Sequence, residues 1–376
     1  MRFAVPVVIC MVAAGCNGGG GDRLASALPP GSVSLPGLPK QGLVVPRGSG
    51  VELLGLDGSV VARLPRFEIG GGDTRRDALM HDLDSAGQLE QPRLVTPDDR
   101  YYRLDASRHA LIPIWQPRVP LPGGAELVGG GDPHEFRGLS VVRRGHVLVR
   151  RDFFLAVVAG TLVQSRGRLL DLRTGRSWRL LPRCTGVGAR GATAYVFCAT
   201  GPPVRFCCGV DPYPNMWLER LARGQGATKV AQFSRDGPFP RVTGALSPNG
   251  RFVADQGEEI CAGGYLRVGP TDGSRGDRPA SGDGATGSLP YSTFLGWSAD
   301  GRVVAQITWA RDCEHTVRGG VYLVDPRTLK RTYVTRWAWT MWNAFPDPPV
   351  ALRCPVGERL NGYRAVANGS RSCPRY

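Results

Sequence analysis

The chain contains few lysines and no long helical segment. Only Lys40, Lys229 and Lys330 are lysines among its 47 basic residues, so the others are arginines. After the N-terminus, no stretch combines a 3.6-residue apolar period with freedom from glycine and proline for four helical turns. The 52 Gly and 31 Pro favour frequent turns instead. These absences exclude a helical bundle and predict an all-β chain of many short strands.

The basic residues form no concentrated patch in the sequence, although the formal net charge is +15. The arginines lie singly or in pairs and build no basic helix or basic run, whereas nucleic-acid-binding segments concentrate their cations. We interpret the excess as a compositional bias at solvated positions and expect no nucleic-acid partner. An anion-binding face is the alternative.

The motifs of common catalytic sites are also missing. The chain has no G-x-S-x-G elbow, no Walker loop and no H-E-x-x-H helix. Residues Gly186–Gly191 match G-x-G-x-x-G only formally, because Ala192–Phe197 is typical of a strand, whereas the dinucleotide motif requires a helix there. We interpret this segment as a turn between repeats. We expect no catalytic residue, no cofactor and no bound metal.

The N-terminus predicts export. Ala4–Ala14 is an apolar region too short to span a bilayer, and small residues precede Cys16. This pattern resembles the bacterial lipobox, in which the cysteine is lipidated and becomes the mature N-terminus. The departure is Ala13, where that motif most often has Leu. An ordinary cleaved secretory signal is the alternative, and both interpretations place the body outside the cytoplasm.

The lipobox interpretation divides the chain into four parts. We expect a lipoprotein signal peptide at 1–15, and a lipidated Cys16 with a flexible Gly/Pro/Ser-rich tether at 16–40. A repeat domain follows at 41–345, and a C-terminal tail closed by a disulfide at 346–376.

Cysteine is absent between Cys16 and Cys184 and frequent afterwards. An even number of cysteines in the second half of an exported chain predicts a disulfide framework. The candidates are Cys184, Cys198, Cys207, Cys208, Cys261, Cys313, Cys354 and Cys373.

One nine-residue unit recurs about every fifty residues. Leu246–Ala254 and Trp297–Ala305 match closely, and Ser247 and Ser298 lie 51 residues apart. Each unit combines a tight Asn/Asp-Gly turn with a following β-branched run, as a buried strand requires. Val95–Tyr102, 151 residues before Ser247, is a weaker third copy about three periods away.

A second unit, a strand that ends in a turn, recurs out of phase with the first. Its copies are Val51–Gly58, Leu169–Gly175, Leu221–Gly224, Val268–Gly273 and Val321–Thr328. Turn, strand, loop, strand, turn and strand at this period describe a four-stranded propeller blade.

At this point the chain resembles the TolB-type propellers, whose repeats carry Ser-Pro-Asp-Gly-Lys/Arg before a strand and an aspartate-turn hairpin later. The resemblance extends from Gln41 to about Phe345 and implies a β-propeller of six or seven four-stranded blades. It weakens between residues 66 and 150. The N-terminal domain that accompanies the TolB propeller has no counterpart before Lys40, so its Tol–Pal role is not carried over.

The repeat places some of the cysteines. Cys261 and Cys313 follow Ser247 and Ser298 by 14 and 15 residues, so we expect matching loops of consecutive blades. A bridge between them requires Cα atoms within about 7 Å. The pairing of the four cysteines from Cys184 to Cys208 stays open.

The segment Trp337–Trp342 alternates tryptophan with smaller residues after the last aspartate turn. The first blade begins with Gln41–Val45 and lacks an innermost strand, which this segment would supply. Alternating tryptophans are typical of a half-buried strand, and a Trp-lined ligand groove is the alternative.

These features together favour a binding module at the cell envelope. We expect a monomer anchored to the membrane through lipid on Cys16, whose partner is an envelope protein, peptide or glycan. The alternative is an extracytoplasmic propeller enzyme of hydrolase, lyase or quinoprotein type. Its site would lie in the central funnel, with contributions from residues 66–150.

Overall fold

The structure is a computed structural model that describes the chain from Leu28 to Asn343 with gaps. The described residues are 28–48, 50–69, 93–98, 100–113, 118–121, 124–129, 139–152, 156–158, 162–165, 167–181, 184–200, 204–206, 209–211, 215–222, 227–233, 243–256, 266–280, 289–310 and 316–343. None of their helices is long and apolar enough to cross a membrane.

Short strands account for the regular structure of these residues, which confirms the expected all-β class. In chain order they are β1 (Val33–Ser34), β2 (Gln41–Arg47), β3 (Gly50–Gly55), β4 (Val60–Pro65), β5 (Glu68–Ile69), β6 (Arg93–Val95), β7 (Tyr101–Asp105), β8 (Ala110–Pro113), β9 (Arg118–Leu121), β10 (Ala125–Gly129), β11 (Leu139–Arg143), β12 (His146–Asp152), β13 (Ala156–Val158), β14 (Leu162–Ser165), β15 (Arg168–Asp171), β16 (Ser177–Arg179), β17 (Cys184–Arg190), β18 (Thr193–Thr200), β19 (Val204–Phe206), β20 (Gly209–Asp211), β21 (Asn215–Ala222), β22 (Ala227–Phe233), β23 (Thr243–Leu246), β24 (Phe252–Gln256), β25 (Leu266–Pro270), β26 (Arg278–Pro279), β27 (Leu289–Trp297), β28 (Val303–Ala310), β29 (Thr316–Val324), β30 (Arg331–Thr335) and β31 (Thr340–Asn343).

Among the described residues the strands form seven antiparallel sheets and one separate hairpin. Their strand orders are β31-β2-β3-β4 (sheet 1), β1-β8-β7-β6-β5 (sheet 2), β12-β11-β10-β9 (sheet 3), β13-β14-β15-β16 (sheet 4), β17-β18-β21-β22 (sheet 5), β23-β24-β25-β26 (sheet 6) and β27-β28-β29-β30 (sheet 7), and the hairpin is β19-β20. Small antiparallel sheets of consecutive strands are the units from which propellers are built.

Apolar layers join five pairs of sheets that follow one another. Shared clusters of buried side chains lie between sheets 4 and 5, 5 and 6, 6 and 7, 7 and 1, and 1 and 2. The layer between sheets 7 and 1 includes Val304 and Leu323 from one side and Leu43 and Leu54 from the other. Sheets from opposite ends of the chain therefore pack face to face.

Sheet 1 contains strands from both ends of the described chain. The late strand β31 pairs with the early strand β2, with Trp342 opposite Gly42 and Thr340 opposite Val44. Trp342 is fully buried and its indole N–H donates to the Pro39 carbonyl over 3.1 Å. The C-terminal tryptophan segment thus supplies the edge strand that the first sheet lacks, as its sequence indicated.

The tight turns found in the sequence join the first two strands of sheets 6 and 7. The Ser298 amide donates to the Arg302 carbonyl over 2.9 Å, and the Ser247 amide to the Phe252 carbonyl over 2.8 Å. Gly250 and Gly301 have φ of +67° and +84°, a conformation that glycine adopts without steric cost.

Val95–Tyr102 has the same local turn at a different place in its sheet. The Thr96 amide donates to the Arg100 carbonyl over 3.1 Å, but this turn joins β6 and β7, the second and third consecutive strands of sheet 2. Sheet 2 and sheet 6 also lie four sheets apart along the chain. The interpretation as an equivalent repeat three periods upstream was therefore wrong.

Residues 33–38 belong to the folded body, although their sequence suggested a tether. β1 pairs with the edge strand β8 of sheet 2, and Leu35 and Leu38 are buried in the layer between sheets 1 and 2. His109 Nδ1 donates to the Leu38 carbonyl over 2.8 Å. The described chain therefore contacts the core before Gln41.

The formal G-x-G-x-x-G segment lies mainly in a strand. Gly186–Arg190 form part of β17, and Gly191 starts the turn into β18 within the same sheet. The strand expected after the motif is confirmed. The segment is a hairpin inside sheet 5 and not a turn between repeats.

Candidate binding site at an exposed tryptophan pair

The segment from Arg336 to Trp339 connects sheet 7 to sheet 1, and only its Ala338 side chain is buried. Thr335 and Ala338 are buried, while Trp337 and Trp339 are 39% and 57% exposed. Ala338 faces the core between the two tryptophans, whose side chains therefore point to the opposite side of the extended backbone. Two of the largest apolar side chains in the protein consequently face solvent.

The backbone between the two exposed tryptophans is fixed by both sheets that it joins. The Ala338 amide donates to Gln306 Oε1 of sheet 7 over 3.4 Å, and the Trp339 amide donates to the Val44 carbonyl of sheet 1 over 2.9 Å. Ala338 packs into the layer between these sheets. The tryptophans therefore project from a fixed support and not from a free loop.

The two indole rings are in contact with each other. Their centroids lie 6.1 Å apart and their planes are inclined by 73°, an edge-to-face arrangement. This geometry is favourable for aromatic pairs and leaves a corner bounded by one ring face and one ring edge. Trp342 thus belongs to a buried strand, as the strand interpretation of Trp337–Trp342 expected, whereas Trp337 and Trp339 form an exposed aromatic surface.

The tryptophan pair lies at the end of the strands opposite the aspartate turns. Consecutive antiparallel strands are joined by loops that alternate between the two ends of the strands. The loops after the first and third strands therefore lie at one end, and the loop after the second strand lies at the other end. The loop after the fourth strand leads to the next sheet and contains the tryptophan pair. It lies at the same end as the loop after the second strand. In sheets 5, 6 and 7 the loops after the second strand run from β18 to β21, from β24 to β25 and from β28 to β29, so these loops share an end with the tryptophan pair.

The aspartates at the other end of the strands stabilise turns by accepting hydrogen bonds from backbone amides. Asp57, Asp171, Asp272 and Asp325 follow the third strands of their sheets, as the repeat predicts, and Asp105 occupies an equivalent place in sheet 2. Asp325 Oδ1 accepts the amides of Arg327 and Thr328 over 2.7 and 2.9 Å. Asp105 escaped the sequence comparison because its turn lacks glycine and ends instead at His109, whose φ is +48°.

Hydrogen bonds stabilise the charged form of three of these carboxylates, Asp57, Asp272 and Asp325. The Ser59 hydroxyl and the Ser59 amide lower the pKa of Asp57, and Ser274 does the same for Asp272. Burial opposes this effect at Asp325, but the amides of Thr328 and Arg327 outweigh it and keep the pKa below its ordinary value. These groups are ionised turn caps at neutral pH.

Several arginines have a structural role that the sequence did not indicate. Arg143 is buried and donates to the Leu172 carbonyl, which joins sheet 3 to a turn of sheet 4. Arg190 donates to the Asn249 carbonyl of sheet 6, and Arg278 donates to the Pro326 and Arg327 carbonyls of sheet 7. Desolvation by burial lowers the pKa of Arg143. The interpretation that the arginines occupy solvated positions was wrong for Arg143, which is buried, whereas Arg190 is exposed and Arg278 is partly buried.

One of the candidate disulfides lies within the described residues. Cys184 and Cys198 are directly opposite each other in β17 and β18, with Cα atoms 4.1 Å apart, and their sulfurs are bonded. A disulfide fits an extracytoplasmic location. Cys16, Cys207, Cys208, Cys261, Cys313, Cys354 and Cys373 lie outside the described residues.

Comparisons with known proteins assign no family to the chain. No family model matches it, and no curated protein matches it. Among solved structures, it is similar to TolB from Acinetobacter baumannii, with 11% identity, a TM-score of 0.35 and coverage of 81% of this chain and 65% of that one. It is also similar to a puromycin-hydrolysing peptidase from Mycobacterium tuberculosis, with 14% identity, a TM-score of 0.34 and coverage of 87% and 57%.

A third similar structure is the tricorn protease, with 14% identity, a TM-score of 0.30 and coverage of 77% of this chain and 29% of that one. The chain thus spans less than two thirds of the length of each of these three proteins. TM-scores below 0.5 at such identities transfer neither an activity nor a partner.

Proposed function

We propose that the protein is an extracytoplasmic, lipid-anchored β-propeller of seven blades that binds a partner at the cell envelope. The exposed and fixed pair of Trp337 and Trp339 is the observation that carries the binding function. Contiguous large apolar side chains at a surface mark interaction sites, and tryptophan is enriched among the residues that dominate binding energy.

The seven sheets support the blade number and the closure of the ring. Five apolar layers join sheets 4 to 7, 7 to 1 and 1 to 2, and Arg143 links sheets 3 and 4. Pairing of β31 with β2 closes the ring by mixing strands from both ends in one blade. Each blade corresponds to one sheet in this proposal, and the hairpin β19-β20 is an insertion.

The disulfide and the N-terminal sequence support the proposed location. Cys184–Cys198 fits an oxidising compartment, and Cys16 is the residue that would carry the lipid. Residues 1–15 are the signal peptide in this proposal. In this proposal the Gly/Pro/Ser-rich linker starts at Cys16 and ends before β1, which already pairs with sheet 2. The partner is an envelope protein, peptide or glycan, and the binding unit is a monomer.

Intact mass and membrane partitioning test the anchor. The protein is expressed in a bacterial host beside Cys16→Ser, and both are fractionated and weighed by mass spectrometry. We expect a lipid-sized mass increment and membrane association that are both lost with Cys16→Ser. A soluble wild type without added mass would refute the lipid anchor.

Retention on isolated cell envelopes tests the binding function. The soluble Cys16→Ser protein is compared with the same protein carrying Trp337→Ala and Trp339→Ala, and with Tyr333→Ala as a control. Tyr333 is also 57% exposed, but it lies on β30, where its ring contacts Tyr322. We expect the tryptophan variant to lose retention and the tyrosine variant to keep it. Equal retention of all three proteins would exclude the tryptophan pair as the binding surface.

A further inference from the structure

The area of the tryptophan pair limits the size of the partner that it can hold. Because Trp337 and Trp339 are 39% and 57% exposed, together they leave on the order of 200 Å² to solvent. A stable protein interface buries about 800 Å² on each partner. The pair alone is therefore too small for an ordinary protein interface, but it is large enough to cover one or two rings of a small amphipathic ligand.

The geometry of the pair favours a ring-shaped ligand. One indole face and one indole edge meet at 73°, with centroids 6.1 Å apart. A pyranose ring has an apolar face of C–H groups and a polar rim. Stacking of that face on one indole places the side of the sugar against the other indole, while its hydroxyls remain in water.

The charge around the pair favours an acidic ligand. Arg336 is the basic residue next to the pair in the sequence, and residues 331–346 contain no aspartate or glutamate. The side chain of Arg336, directly before Trp337, is exposed. Guanidinium groups pair with carboxylates, and the positive net charge of the protein attracts polyanions over a longer range.

We infer that Trp337 and Trp339, with Arg336, form a contact site for a saccharide chain that carries carboxylates. This inference rests on the proposed binding function and specifies its ligand. The tryptophans supply stacking, which tolerates different sugars, and the arginine supplies the preference for acidic ones. The support from Gln306 and Val44 keeps the two rings in place before the ligand arrives, which reduces the entropy lost on binding.

The test uses α-1,4-linked trigalacturonate and its fully methyl-esterified form, which has the same rings without the charge. Binding to the soluble Cys16→Ser protein is measured by titration calorimetry at low salt. We expect the acidic trisaccharide to bind at least about tenfold more tightly than the ester. Trp337→Ala with Trp339→Ala abolishes binding of both, Arg336→Gln removes only the preference for the acid, and Tyr333→Ala changes neither.

Absence of binding by the acidic trisaccharide, or binding that survives loss of both tryptophans, overturns the inference. Vesicles of phosphatidylglycerol and phosphatidylcholine form the second arm of the test. If the tryptophan pair is required for vesicle binding and not for saccharide binding, the surface contacts lipid and the inference is wrong. Retention on envelopes that still depends on the tryptophans would then leave the proposed binding function intact without the saccharide.

Discussion

Gly42 lies where two chain segments approach too closely for any other residue. A Cβ at this position would be 2.3 Å from the Leu54 carbonyl oxygen and 2.3 Å from two carbon atoms of the buried Trp342 ring. We predict that Gly42→Ala lowers the free energy of unfolding by about 3 kcal/mol, because neither the backbone nor the ring has room to move. Urea denaturation followed by circular dichroism measures the change.

Gly276→Ala is the control for this substitution. A Cβ at Gly276 meets nothing within 4 Å, so its effect stays within about 0.5 kcal/mol. Similar midpoints for the two variants would contradict the close contact between β2 and β31.

Asp325 makes stability depend on pH in the acidic range. Its pKa in the folded protein lies below the ordinary value of 3.8, so its contribution is present above that value and disappears as the pH falls through the folded pKa. Asn at this position keeps an oxygen for the turn but has no charge. We predict that wild type is more stable than Asp325→Asn at pH 6 and that the difference narrows below about pH 4.

Urea midpoints of both proteins at a series of pH values check this prediction. A difference that stays constant from pH 6 to pH 3 would show that the charge of Asp325 contributes nothing. The turn at Asp325 could be predicted from sequence because an aspartate and the amides that it accepts lie within three residues.

The hydrogen bonds of the arginine side chains, in contrast, could not be predicted from the sequence. Arg278 reaches carbonyls about fifty residues away in the sequence. Every peptide unit carries such an acceptor, so no residue type marks the partner. The role of Arg143, Arg190 and Arg278 therefore required the structure.

The strand pair β17 and β18 is joined by a covalent bond as well as by its ladder. Cys184 and Cys198 are 14 residues apart in the sequence. A disulfide that closes a loop of this length lowers the entropy of the unfolded chain and stabilises the fold by about 3 kcal/mol. We predict that Cys184→Ala with Cys198→Ala lowers Tm by several degrees, and that dithiothreitol lowers the Tm of the wild type at least as much. Calorimetry with and without the reductant measures both effects.

Reduction of the double alanine variant has a separate meaning. A further fall in Tm would indicate additional disulfides among the other cysteines. An unchanged Tm of the double alanine variant relative to the oxidised wild type would contradict a stabilising role of the described bridge.

Individual strands and turns could be predicted from the sequence better than the strands that they pair with or connect. The turn at Thr96 was recognised because its hydrogen bonds are local, but the sequence does not state which strands of a sheet a turn connects. β1 was missed because two residues are too short for an alternating pattern, and its contact with β8 lies about 75 residues ahead. The buried Leu35 and Leu38 lie just after β1 and were assigned to the tether.

The ring as a whole depends on its last strand in our proposal. A chain that ends at Arg336 lacks β31 and Trp342, whereas a chain that ends at Asn343 retains both. We predict that the shorter chain is less stable by at least about 3 kcal/mol, because β2 loses its neighbour and the core loses a buried tryptophan. Chemical denaturation of the two truncated proteins provides the comparison.

Equal stability of the two truncated chains would refute closure through β31. The sequence indicated this closure because an incomplete first blade and an unassigned tryptophan segment stood at opposite ends of the repeat. It did not give the number of blades, since the repeat units are weak between residues 66 and 150. The proposed binding surface was also only half predicted, because alternating tryptophans in the sequence indicate that some of them face outwards but not which ones.

The pairing of β2 with β31 also sets an order of events during synthesis. Val44 leaves the ribosome about 300 residues before its partner Thr340. At about 5–20 residues per second, roughly 15–60 s pass before the neighbouring strand exists. During this interval the edge of β2 offers unpaired backbone groups and the apolar side chains Leu43, Val44 and Val45 to other chains. We expect this unpaired edge to make the nascent chain prone to association with other chains until β31 has been synthesised.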